Sequence, residues 1–100
     1  MIKHVVCWKV KDEAEGLTKV QILDRMKEML DALPAKINVI RDFEVGKNII
    51  ESDRAFDLTL HSGFDSLEDL KIYATHQDHL VVVDFFKKVV EKAVSVDYEL

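Results

Sequence analysis

Cysteine and proline each occur once in the 100 residues, and glycine three times. A single cysteine, Cys7, excludes an internal disulfide and suits a reducing compartment. With so little proline and glycine, and no repeat or low-complexity stretch, nothing reads as a linker. The length is that of one domain, residues 1–100. Positive charge is also short: 14 Lys and Arg against 19 Asp and Glu give a net charge of −5, with the acidic residues scattered. Phosphate recognition needs clustered cations, so neither nucleic acid nor a membrane surface is an expected partner. No apolar run exceeds four residues, as in Leu80–Val83, which is far too short to cross a bilayer. Lys3 and His4 interrupt the start at once, so no signal peptide is read there. The expected location is cytoplasmic.

What is present is a globular pattern, with 48% apolar and 33% charged residues. Ile2–Lys11 alternates as a strand, with Ile2, His4, Val6, Trp8 and Val10 on one face. The other face carries Lys3, Val5, Cys7 and Lys9, too apolar at its centre for a face left in water. Asp12–Gly16 reads as a polar connection. Thr18 with Gln21 forms a capping box, and Ile22, Leu23, Met26, Met29, Leu30 and Leu33 make the buried stripe of a helix that Pro34 ends. Ile37–Val45 reads as a second strand and 48–54 as a polar loop. Phe56–His61 alternates as a third strand. Ser66 caps a short helix in which Leu67, Leu70 and Tyr73 point inward. A longer helix runs from about Asp78 to Glu91, and Ala93–Leu100 alternates as a last strand.

Strand, helix, strand, strand, broken helix, strand is the split βαβ order. It predicts an α+β, ferredoxin-like fold: a four-stranded antiparallel sheet with helices on one face. The face left bare wants a partner, so a homodimer packed sheet to sheet, a dimeric α/β barrel, is expected. Cys7 is an interface hydrophobe, with Val5, Lys9, Asp57, Thr59 and His61 beside it as a polar layer between protomers.

The densest chemistry lies in the break between the last two helices, Tyr73-Ala-Thr-His76-Gln-Asp-His79. Helical spacing turns Tyr73 and His79 toward buried faces with their polar tips near one point. The plain account is a phenol and an imidazole satisfying each other or nearby backbone groups. The functional account is a pocket for a small molecule. His76 is expected to face the turn and cap the third helix. His4, on the helix-facing side of its strand, belongs to core or pocket rim. His76 and His79 are too few to make a metal site, and no metal or cofactor is expected.

Two stretches carry a family resemblance: Met1-x-Lys3-His4-Val5-Val6-x-x-Lys9-Val10, and Phe64-Asp-Ser-Leu-Glu-Asp-Leu70-x-x-Tyr73-x-x-His76-x-x-His79. Over nearly the whole chain the sequence resembles the stress-responsive α/β-barrel (Dabb) family. The resemblance implies a ferredoxin-like protomer that dimerises into an α/β barrel, in a family whose small members mostly have no assigned biochemical role. A small apolar or aromatic ligand between helices and sheet is the first functional expectation. One enzymatic branch, to which the chain is distantly similar, is that of olivetolic acid cyclase, which closes polyketides by aldol condensation. There a tyrosine and the second histidine of a Tyr-x-x-His-Pro-x-His motif do the chemistry, matching Tyr73 and His79, and a first-strand pocket histidine matches His4. The implied alternative is a cofactor-free lyase or isomerase with His79 as base and Tyr73 as enolate stabiliser. Gln77 replaces the motif's proline. Ile22, Leu23, Met26 and Val90 stand where the cyclase carries bulkier aromatics, so the substrate does not transfer. The expected ligand-binding residues are His4, Val6, Trp8, Ile22, Leu23, Met26, Leu60, His76, Phe86 and Val90. A monooxygenase of the antibiotic-biosynthesis type is the distant third reading, with no motif to carry it.

Overall fold

The computed structural model describes residues 1–100. In chain order the elements are β1 (Ile2–Val10), β2 (Glu13–Ala14), β3 (Leu17–Thr18), α1 (Lys19–Asp31), β4 (Ile40–Lys47), β5 (Leu58–Phe64), α2 (Leu67–Thr75), α3 (Gln77–Val89) and β6 (Val90–Glu99). The strands form one antiparallel sheet in the order β4-β5-β1-β6, with β2 and β3 a separate small ribbon. This is the ferredoxin-like α+β arrangement that the element order predicts. No helix is long and apolar enough to cross a membrane.

β1 lies inside the sheet, pairing Val6 with Leu60 of β5 and with Ser95 of β6. Because side chains alternate across a strand, that register sorts the sheet into two faces. On the helix side, Ile2, Val10, Leu58, Leu60 and Phe64 join Ile22, Met26, Leu30, Val82, Phe86 and Val89 of α1 and α3 in one buried cluster. On the other side, Val5 pairs with His61 and Val96, and Cys7 with Thr59 and Val94. No helix covers this side. Val94, Val96 and Tyr98 are 44%, 61% and 44% exposed, a strip of large apolar side chains facing water.

Local chemistry explains the boundaries. Thr18 and Gln21 make the reciprocal capping box of α1, each side chain meeting the other's backbone amide. The connection at 12–16 is more ordered than a polar linker: Glu13 pairs with Thr18 and Ala14 with Leu17. Glu15 and Gly16, both at positive φ, form the two-residue turn, the geometry that matches strand twist in a tight hairpin. Helical turns also persist beyond Pro34, because Ile37 N–H donates to Leu33 C=O at 2.9 Å. Ile37 is therefore a core residue in a turn, and the second strand begins at Ile40, not at residue 37. At the other end of the chain α3 passes into β6 with no loop, the backbone turning extended at Val90.

Three placements differ from expectation. Leu67 is 68% exposed, and burial in α2 is complete only at Tyr73. Met26 and Ile22 are fully enclosed in the core rather than at a pocket wall. Met26→Ala should therefore destabilise the fold by about 2–5 kcal/mol through the cavity it leaves. Urea unfolding checks this, and a loss below about 1 kcal/mol would mean that the α1 stripe is loosely packed.

Candidate functional site

A cavity of about 290 Å³ lies between α3 and the helix-facing side of the sheet. His4, Val6 and Trp8 come from β1, Leu60 from β5, Leu30 from α1 and Tyr73 from α2. His79, Val82, Val83, Phe86 and Lys87 come from α3, and Val90 and Ala93 from β6. The α3 residues fall three or four apart, one helix face laid along the trough. Trp8 and Phe86, both on its wall, meet edge to face with ring centroids 5.1 Å apart.

Tyr73 closes one end. Its ring touches Phe64 at 5.1 Å between centroids, His79 at 4.4 Å, and both Phe43 and His4 at 6.4 Å. The residue is 2% exposed, yet its hydroxyl is in none of the side-chain hydrogen bonds of the chain. No fully enclosed side-chain oxygen or nitrogen lacks a partner, so the hydroxyl keeps its remaining access through the cavity that Tyr73 lines. Burial raises the pKa of this phenol well above its ordinary value. It stays an O–H donor at physiological pH.

His79 stands in the first turn of α3 and reaches back across the helix break. Its Nδ1 lies 3.0 Å from the Ala74 carbonyl oxygen. A carbonyl only accepts, so Nδ1 carries the proton and Nε2 holds the lone pair. Burial lowers the imidazole pKa from its ordinary value of 6.5; the Ala74 bond acts the other way, and positive charge on His4 or His76 would lower it further. The two rings are tilted at 48° rather than joined through the hydroxyl. Of the two expected alternatives, each other or nearby backbone groups, His79 takes the second through Ala74, and no hydrogen bond joins it to Tyr73.

His4 forms the third wall at this end. Its Nδ1 donates to the carboxylate of Asp97 on β6, opposite which it sits in the sheet register. This partner was not foreseen, although the alternation of the last strand, with Val94, Val96 and Tyr98 on the bare face, puts Asp97 on the cavity side.

Of the residues expected to bind a ligand, His4, Val6, Trp8, Leu60, Phe86 and Val90 line the cavity together with Tyr73 and His79. Ile22, Leu23, Met26 and His76 do not. Ile22 and Met26 are enclosed and Leu23 packs against the core from outside. The α1 residue that does reach the wall is Leu30, one turn beyond Met26. His76 caps α3, its Nδ1 accepting from the Asp78 amide at 3.1 Å. With Nδ1 of His76 spent there and Nδ1 of His79 on Ala74, the two histidines do not converge on one centre, and no group of three His, Cys, Asp or Glu side chains does so elsewhere. Leu30, Val82, Val83, Lys87 and Ala93 were not foreseen as lining residues; helical spacing from His79 is the signal that points to Val82, Val83 and Lys87.

On the bare face, Thr59 donates to Val6 C=O at 3.0 Å and contacts Cys7 Sγ at 3.4 Å, and His61 is exposed. Asp57 does not join that face as expected. Its carboxylate accepts from Val10 N–H at 2.9 Å and pairs with Lys19 at the head of α1 at 3.3 Å, so it is used within the protomer.

Comparison with known proteins matches this fold. A solved dimeric protein of ferredoxin-like fold and unknown function from Bacteroides fragilis superimposes with a TM-score of 0.86 at 38% identity, over 99% of this chain and 95% of that one. A Dabb family protein from Mesorhizobium loti superimposes with a TM-score of 0.74 at 25% identity, over 99% and 95% of the two chains. A stress-response A/B barrel domain-containing protein of Arabidopsis thaliana is 39% identical over 83 residues, which are 83% of this chain. The matched region spans only 30% of that plant protein. The model of the stress responsive A/B barrel domain matches residues 2–100, and the chain belongs to that family.

Proposed function

We propose that this chain acts as a homodimer that binds a small apolar or aromatic carbonyl compound between its helices and sheet. One observation carries the reading: in a largely apolar cavity, the Tyr73 hydroxyl has no protein partner while the adjacent His79 carries an unprotonated Nε2. That hydroxyl keeps its access only through the cavity, where a ligand carbonyl oxygen accepting from it adds a net gain of about 1 kcal/mol over water. The volume, near the lower end for small-ligand sites, suits a short acyl chain or a single aromatic ring. A 15N NMR titration with 2-octanone tests it. Shifts should gather at Trp8, His79 and Phe86, and Tyr73→Phe should weaken binding about five- to tenfold, the worth of one hydrogen bond. Shifts scattered over the surface would sink the reading.

The same pair favours a second, catalytic reading, a cofactor-free lyase or isomerase. A neutral imidazole with its lone pair free is a base for a proton α to the carbonyl, and a neutral phenol beside it stabilises the enolate oxygen. The imidazolium then returns the proton to carbon. In D2O the α-protons of 2-octanone should exchange faster with the protein than in buffer, and His79→Ala should abolish the gain. No exchange above buffer would leave the binding role alone.

The pH dependence has a definite sign. The folded-state pKa of His79 is depressed, so the neutral, active form persists as pH falls through 6.5 and is lost only lower. The fold is fully stabilised by this group above 6.5 and loses that contribution as pH falls from there toward the depressed value. An imidazole NMR titration should give His79 a midpoint below 6.5.

The dimer follows from the uncovered strip. Val94, Val96 and Tyr98, flanked by half-buried Val5 and Cys7, are the residues whose burial against a second copy removes apolar surface from water. Lys9, Thr59 and His61 edge this strip. Val96→Asp should leave monomers in light scattering after gel filtration; a persistent dimer would place the contact elsewhere.

A further inference from the structure

The cavity has two chemically different ends, and Lys87 marks the second. α3 runs alongside β1 in the same direction. At one end His79 and His4 flank Tyr73, toward the other Phe86 meets Trp8 beside Lys87, and beyond them Lys11 N–H donates to Val89 C=O at 2.9 Å. From His79 to Lys87 is eight residues of helix, about 12 Å of axial rise; the facing stretch of β1, His4 to Trp8, covers about 13 Å. Between the ends the walls are apolar.

Lys87 is exposed at the rim and takes part in no ion pair of the chain, whereas its neighbour Lys88 lies 3.9 Å from Glu15. No Asp or Glu lines the cavity. In a chain of net charge −5, an anionic ligand gains nothing from the protein's overall field, so a local unpaired cation at the mouth is the feature that selects one.

We propose that the ligand is bifunctional: a carbonyl held at Tyr73 and His79, an apolar middle along Val6, Val82 and Val83, and a carboxylate or similar anion at Lys87. This rests on the carbonyl-binding reading above and names its substrate class, the short oxo-acids. Lys87 is a specificity-determining residue, since its ammonium discriminates the acid from the plain ketone without touching the reacting atoms.

The probes are 7-oxooctanoate and 2-octanone, which share the methyl ketone and differ by the distal acid. They are titrated by NMR at low salt into the wild type, Lys87→Gln, Lys88→Gln and Tyr73→Phe. The wild type should prefer the oxo-acid about fivefold, the worth of one partly exposed ion pair, and the preference should fade as salt rises. Lys87→Gln should abolish the preference, weakening 7-oxooctanoate about fivefold relative to 2-octanone. Lys88→Gln, at the same helix end but outside the cavity, should keep it. Tyr73→Phe should weaken both ligands alike. Equal wild-type affinity for the two ligands, or a preference that survives Lys87→Gln, overturns the assignment of Lys87 and leaves the carbonyl site standing. Failure of both ligands to bind overturns the carbonyl site, and the inference falls with it.

Discussion

Burial of the Tyr73 ring is the constraint on which the rest of the site depends. The ring is held by Phe43, Phe64, His4 and His79, so strands β1, β4 and β5 and both halves of the broken helix meet at one side chain. Edge and tilted contacts of this kind add a modest gain to the larger gain from removing an aromatic ring from water. They also position the hydroxyl. A phenol pinned on all sides cannot rotate away to find solvent, so whatever meets its O–H must enter the cavity.

The helix break sets the second half of the geometry. His76 ends α2 and caps α3 through its own ring, leaving the Ala74 carbonyl of the last α2 turn free to accept from His79. One histidine shapes the backbone and the other is oriented by it. That bond fixes the tautomer and leaves the lone pair on Nε2; second-partner control of an imidazole is general wherever histidine does chemistry. Asp97 performs the equivalent service for His4 from the far edge of the sheet.

The two faces of the sheet have different tasks because β1 is internal and apolar on both. Helices cover the face that builds the cavity. The face with Val5 and Cys7 extends into the exposed strip of β6, the apolar surface that the proposed homodimer would bury.

Much of this was legible in the amino-acid order. Alternation in β1, the capping box of Thr18 and Gln21, the element order and the Tyr73–His79 spacing depend on local periodicity and short-range hydrogen bonds, which a sequence states directly. What stayed hidden required a register or a contact between distant segments. Asp97 meets His4 only because β6 pairs beside β1. Leu30 rather than Met26 reaches the cavity because of where α1 lies on the sheet, and Asp57 turns to Lys19 because two element ends meet. The sequence by itself determined the fold class and which end of the molecule carries polar groups, since periodicity of 2 and 3.6 residues decides which side chains are buried. Only the tertiary structure decided that the Tyr73 hydroxyl and His79 Nε2 are left unspent and that Lys87 stands at the opposite end of the same trough. Those are properties of packing between segments, where hydrogen-bond partners are won or lost.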